Sequence, residues 1–157
     1  MNKTLVVYYS RSGKTEKAVQ ELKNCMECDV EVLVDAKNRK GLMGFITGGR
    51  DAVNERLTEI QQVKYEPAQY DRVVLCTPTW ASNMVPAVRT YIEAHKKDFK
   101  QVAFLVTQGG GNNGKVYKSL EAAVGKAPMY KTNIGGREFR DGSWKEIVSG
   151  FAKEISK

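Results

Sequence analysis

Five apolar runs of β character, each followed by a stretch of helical period, leave this chain few ways to fold. "TLVVYY" (4–9), "YDRVVLCT" (70–77) and "QVAFLVT" (101–107) lack polar alternation, the pattern of strands covered on both faces. "DVEVLVD" (29–35) alternates and reads as a half-exposed edge strand, and "PMYKTNIG" (128–135) is a weaker fifth strand. From Thr15, "TEKAVQELKNC" puts Ala18, Val19 and Leu22 on one helical face. "VPAVRTYIEAHKK" (85–97) carries Pro86 in its first turn, where a missing N–H costs nothing. "NGKVYKSLEAAVG" (113–125) is a helix ending in glycine. "GSWKEIVSGFAKEIS" (142–156) closes the chain with an apolar stripe of Trp144, Ile147, Val148, Phe151 and Ile155. Strands alternating with helices imply an α/β fold with a mostly parallel sheet. The expectation is a three-layer sandwich around a five-stranded parallel sheet of order 2-1-3-4-5. With no internal repeat, low-complexity tract or linker, residues 1–157 read as a single domain.

Residues 36–69 are the least regular part. "AKNRKGLMGFITGGRDAVNERLTEIQQ" mixes basic residues with Leu42, Met43, Phe45, Ile46 and a Gly48-Gly49 pair. A helix is expected to begin near Arg50 or Asp51. Ahead of it, the expectation is a long crossover packing its apolar residues on the sheet; the alternative is a mobile lid or a docking surface.

At 157 residues, 41% hydrophobic and 27% charged, the chain is of ordinary globular composition. The run Leu5 to Tyr9 is too short for a signal-peptide core. No stretch approaches the roughly 20 apolar residues of a membrane span. The expected location is cytoplasmic. The net charge of +7 suits acidic partners, nucleic acid or an anionic membrane. The lysines are spread over the whole chain with no arginine-rich tail, so nucleic acid is not expected as a partner. Cys25 and Cys28 form a C-x-x-C, but a zinc site needs two further ligands, and the chain otherwise holds only Cys76 and His95. The pair also falls at a helix end, whereas a redox pair uses the dipole of a helix start. These are expected to be incidental, partly buried thiols, and His95, late in its helix, is given no catalytic role.

"YYSRSGKTEKAV" (8–19) holds Gly13-Lys14-Thr15, like the end of a nucleotide-triphosphate loop. That loop would need its first glycine at position 8, where Tyr8 stands inside the strand. Ser10-Arg11-Ser12-Gly13 is too short to wrap two phosphates, and Cys76-Thr77-Pro78 supplies no metal-binding acid. A phosphoacceptor domain is excluded likewise, because the ends of strands 1 and 3 carry no acidic cluster. The loop suits a terminal monophosphate. Ser10, Ser12 and Thr15 can donate hydroxyl hydrogens, Gly13 allows a tight turn, and the first amides of the helix face the anion. The alternative is that the serines and the glycine simply cap a helix.

Position favours the ligand. In a sheet of this order the carboxyl ends of strands 1, 3 and 4 flank the switch point where ligands sit. The loop after strand 3, "TPTWASNMVP" (77–86), puts Trp80 in an expected exposed position, where an indole should cover something flat. The loop after strand 4, "TQGGGNNG" (107–114), has four glycines and admits close approach to the backbone.

With these three loops the chain resembles the flavodoxin family along essentially its whole length. "YSRSGKT" resembles the family's [ST]-x-[ST]-G-x-T phosphate loop, and "TPTWASNMVPAV" and "VTQGGGNNG" are similar to its second and third flavin loops. The resemblance implies a short-chain flavodoxin-like fold and FMN as cofactor. Ser10, Ser12, Gly13, Lys14 and Thr15, with Arg11 through its backbone, would bind the phosphate. Pro78, Thr79, Trp80 and Ala81 would line the ring, with Trp80 stacking on it. Thr107, Gln108, Gly109, Gly110 and Gly111 would offer amides to the pyrimidine edge. The chain departs from the family twice. The third loop has no stacking tyrosine, Tyr117 being already in the next helix, and the charge is basic where flavodoxins are typically acidic. The implied function is electron transfer through FMN to a redox protein or a small-molecule acceptor, with acidic partners suited by the charge. The alternatives are an FMN-dependent NAD(P)H or quinone reductase, favoured by the open ring face, and a flavin-free interaction module.

Overall fold

The structure, a computed structural model, describes residues 2–110 and 114–157. Its sheet centres on β1 (Thr4–Tyr8), which pairs in parallel with β2 (Asp29–Val32) on one side and β3 (Arg72–Trp80) on the other. β3 is followed by a two-residue strand, β4 (Asn83–Met84), that turns back antiparallel against it. β5 (Gln101–Thr107) and β6 (Tyr130–Ile134) complete the parallel order β2-β1-β3-β5-β6. Leaving out β4, this is the expected order 2-1-3-4-5.

Side chains of successive strand residues point to opposite faces, and here both faces are apolar. Leu5 and Val7 of β1 join one core, with Tyr91 and Ile92 of α3 (Pro86–His95) and Leu120 of α4 (Gly114–Val124). Val6 and Tyr8 join the other, with Leu22 of α1 (Lys14–Cys25) and Phe151 and Ile155 of α6 (Trp144–Ile155). This two-sided burial is why the central runs show no polar alternation. β2 is the expected half-exposed edge strand, but its faces are reversed from the alternation: Val32 is half exposed, while Glu31 is buried and accepts the amides of Lys64 and Tyr65.

Two expectations fail. A helix does not begin near Arg50: α2 spans Gly41–Val53 and ends three residues beyond that point. Nor do Leu42, Met43, Phe45 and Ile46 pack on the sheet; all four are exposed. What α2 buries is Gly44, Gly48, Asp51 and Ala52. A Cβ at residue 44 would lie 2.2 Å from the carbonyl carbon of Arg39, so only glycine lets the helix sit this close to the preceding chain. A buried ion cluster holds α2 in place. Arg39 donates to Asp35 at 3.0 Å and to Asp51 at 2.7 Å, and the Thr58 hydroxyl donates to Asp35 at 2.8 Å. Burial opposes the charge on Asp51, yet the hydrogen bond from Arg39 and the nearby Lys37 keep its carboxyl below the ordinary range. The short helix α5 (Gly136–Asp141) leads into α6.

Candidate functional site

At the carboxyl ends of β1, β3 and β5 lies a cavity of about 430 Å³. The loop after β1 forms its floor. Gly13 adopts φ +92°, a left-handed turn that a side chain disfavours. Ser10 Oγ accepts the amides of Gly13 at 3.1 Å and Glu16 at 3.3 Å, fastening the loop to the start of α1. Ser10 therefore does cap the helix. The amides of Lys14 and Thr15 have no acceptor among the described residues, as expected for the first turn of a helix facing a ligand. Thr15 Oγ1 is buried and 2.8 Å from Thr107 Oγ1. One of these hydroxyls donates to the other, so the acceptor's own hydrogen is left for a third group. No acidic side chain lines the cavity, whereas Arg11 and Lys14 do. The lining is set for an anion.

The wall is Trp80, and here the expected exposed loop is wrong. β3 runs on through Trp80 because β4 folds back on it, with Thr79 opposite Met84 and Trp80 opposite Asn83. The connecting pair Ala81 and Ser82 has φ +49° and +64°, the twist a two-residue hairpin turn requires. Trp80 is buried. Its ring stands edge-on to Tyr9 at 5.5 Å, and a Cβ on Gly48 would come within 2.7 Å of it. Burial, then the charge of Asp35, raises the Tyr9 pKa, which keeps its phenol neutral beside the site. The Arg11 guanidinium lies 4.9 Å from the Trp80 ring centroid and 5.3 Å from that of Phe45, so its side chain as well as its backbone belongs to the site.

Of the residues expected to hold the cofactor, Ser10, Arg11, Ser12, Lys14, Thr15, Pro78, Thr79, Trp80, Ala81, Thr107, Gln108 and Gly109 line this one cavity. Gly13 shapes the loop without facing the cavity, Gly110 stands outside the lining, and Gly111 lies outside the described residues. Two expected roles change. The Gln108 amide donates to the Ile134 carbonyl at 3.0 Å and is not free for a ligand; its side-chain Oε1, buried and without a partner among the described residues, is. Thr107 contributes its hydroxyl. Thr79 Oγ1 is a second buried oxygen beside the same cavity without a partner among the described residues. Orphaned polar atoms are costly unless something from outside the chain satisfies them.

The structure adds residues that sequence patterns did not reveal. Phe45 and Gly49 of α2 also line the cavity, with Phe45 beside Arg11 of the loop after β1. Asn83 is the hub that sets the hairpin. Its Nδ2 donates to the Ala52 carbonyl at 3.1 Å, and its Oδ1 accepts the Met84 amide at 2.9 Å and Arg89 at 3.1 Å. A polar residue in a turn-like sequence gave no sign of this. Away from the site, Cys25 is exposed, Cys28 half-buried and Cys76 buried, and His95 packs against Tyr91 at 4.7 Å. Among the described residues no group of three or more His, Cys, Asp or Glu could hold a metal ion. A larger cavity, 610 Å³, opens at the amino-terminal edge of the sheet beside Thr4, Cys28 and Arg72, away from the strand ends where such sheets bind ligands.

No family model and no curated protein matches the sequence. Solved structures do match in shape. A flavoprotein of Lactobacillus acidophilus, crystallised in complex with FMN, superposes with a TM-score of 0.72 at 18% identity, over 92% of this chain and 99% of that one. The two-electron reduced flavodoxin of Megasphaera elsdenii gives 0.60 at 15%, over 96% and 98%. The FMN-bound flavodoxin of Fusobacterium nucleatum gives 0.59 at 12%, over 99% and 98%. The fold is flavodoxin-like. At these identities the likeness is one of fold, and within a flavodoxin-like fold the chemistry must be argued from the cavity itself.

Proposed function

We propose that the cavity binds FMN and that the protein transfers electrons through it. The observation that carries this reading is the pairing of two features in one cavity: an anion-receiving loop with free amides, and buried oxygens on Thr79 and Gln108 that have no partner among the described residues. A monophosphate alone would leave the second pair unsatisfied; a phosphate joined to a flat heteroaromatic ring with polar edges would satisfy both. The matching structures from L. acidophilus and F. nucleatum, which hold FMN, support the same ligand.

The amides of Lys14 and Thr15, with the hydroxyls of Ser12 and Thr15, would hold the phosphate. Pro78 to Ala81, with Phe45 from α2, would enclose the ring, and Gln108 Oε1 would accept from a ring N–H. FMN when bound supplies the redox chemistry. The chain's part is to exclude water with Trp80 and Phe45 and to set a positive field with Arg11 and Lys14, which favours added negative charge.

One observation favours a reductase as the second reading: residues 107–114 contain no aromatic side chain to cover the outer ring face. Stopped-flow mixing separates the two. A carrier, reduced chemically, passes its electrons to an added one-electron acceptor and is not bleached by NAD(P)H. Rapid bleaching by NAD(P)H alone would replace the carrier reading with the reductase.

A further inference from the structure

Helix α2 is built inside out. Leu42 is 75% exposed, Met43 70%, Phe45 63% and Ile46 54%, while Gly44 and Gly48 face the protein. Single exposed apolar residues are common, but a contiguous group on one helix marks a surface that meets something apolar. Residues 41–49 carry no charge, and their one polar side chain, Thr47, donates its hydroxyl to the Met43 carbonyl at 2.9 Å. This face therefore offers no free side-chain hydrogen-bond donor, and only the Thr47 oxygen as an acceptor. Around it stand cations. Lys40 is exposed, and the side chains of Lys37, Arg50 and Arg56 are each more than half exposed. The one acidic residue between 36 and 54 is Asp51, buried and shared by Arg39 at 2.7 Å, Lys37 at 3.4 Å, Arg50 at 3.6 Å and Arg56 at 3.8 Å, so one carboxylate faces four cations and the region keeps a positive excess. Glu55 follows, beyond the end of the helix. Among the described residues no helix is long and apolar enough to cross a membrane.

We propose that α2 docks the protein on an anionic lipid surface. Leu42, Met43, Phe45 and Ile46 would enter the boundary between headgroups and acyl chains, and Lys37, Lys40, Arg50 and Arg56 would rest among anionic headgroups. Protein interfaces use about one hydrogen bond per 100–200 Å²; this face supplies no side-chain donor and a single acceptor, whereas acyl chains ask for none. A symmetric contact with a second copy would set basic rim against basic rim. Phe45 belongs both to this face and to the cavity lining, so docking turns the cavity mouth toward the bilayer. That geometry suits a lipid-soluble electron acceptor such as a quinone; this last point rests on the proposed redox function, while the docking itself does not.

Co-sedimentation of the full-length protein with vesicles tests it. Vesicles of phosphatidylcholine with about 30% phosphatidylglycerol should bind it at least about tenfold better than phosphatidylcholine alone. Binding should weaken as salt shortens the screening length. Leu42→Gln/Met43→Gln keeps good helix formers and removes two apolar anchors, and should cost about a hundredfold in vesicle affinity. Neither residue lines the cavity, so this variant should retain the wild-type flavin content. Vesicle binding without any flavin would leave the docking standing and overturn the FMN reading. Absence of vesicle binding, or binding undiminished in the double variant, would overturn the docking. So would a wild-type dimer in sedimentation velocity that the double variant dissociates without any vesicle binding; α2 would then be a contact between copies.

Discussion

The neighbouring glycines Gly48 and Gly49 give a matched test of how α2 supports the site. Both lie in the same turn of the same helix, so replacing either by alanine should bring the same gain in helix propensity, about 0.8–1 kcal/mol. They differ in what the new methyl meets. At Gly49 nothing lies within 4 Å. At Gly48 the Cβ would fall 2.7 Å from Trp80 Cζ3 and 2.9 Å from Cε3, well inside van der Waals contact. The indole has little room to retreat, since Tyr9 stands edge-on to it at 5.5 Å and Arg11 covers it at 4.9 Å. Overpacking of this kind costs about 1–3 kcal/mol. Gly49→Ala should then raise stability by about 1 kcal/mol, or about 2–4 °C in Tm, and Gly48→Ala should lie about 1–3 kcal/mol below it. Urea melts of the two variants, each repeated in a Trp80→Leu background, read the difference as a coupling energy. The gap should vanish once the indole is gone. If Gly48→Ala is as stable as Gly49→Ala with Trp80 in place, Trp80 is not wedged against α2 and the description of the cavity wall is wrong.

Other consequences follow from the same structure. Gly13→Ala, forced into φ +92°, should cost about 1–2 kcal/mol and weaken FMN binding, by titration of flavin fluorescence, while the far-UV spectrum stays native. Asn83→Ala removes the bonds to Ala52, Met84 and Arg89 together and should lower stability by about 2–4 kcal/mol in chemical melts. Asp51 titrates lower in the fold than its ordinary 3.8, so the folded state binds fewer protons than the unfolded chain there. Its contribution is complete above that value and is lost as pH falls through the lower folded value. Asp51→Asn should therefore show a smaller loss of stability between pH about 6 and about 3 than the parent; an equal loss would remove Asp51 from the acid response.

Much of the architecture was legible because burial on two faces leaves a plain mark. The runs at 4–9, 70–77 and 101–107 are apolar at every side-chain period, and they are the three central strands. The turn between β1 and α1 was legible because its left-handed Gly13 sits between a strand and a helix, with Ser10 and Ser12 before the helix and Thr15 in its first turn. Helix α2 was not. Four glycines in thirteen residues give poor helix propensity, and its apolar residues carry the amphipathic signal of a buried face while pointing outward. Two of them, Gly44 and Gly48, are there because Arg39 and Trp80 lie too close for a side chain, a tertiary fact with no local signature. Trp80 was misplaced for a related reason. The sequence "TPTWASNM" reads as a loop through its proline and polar residues, yet β4 extends the sheet across it, and Ala81 and Ser82 turn the hairpin without the glycine or asparagine that would have announced it.

The central claim is that this cavity holds FMN, and the most direct measurement is the visible absorption spectrum of the purified protein after incubation with FMN and desalting, taken beside that of Ser12→Ala/Thr15→Ala. The account predicts a flavin band retained by the parent and lost by the variant, with both folded by circular dichroism. A parent that keeps no flavin, or a variant that keeps it equally well, would contradict it.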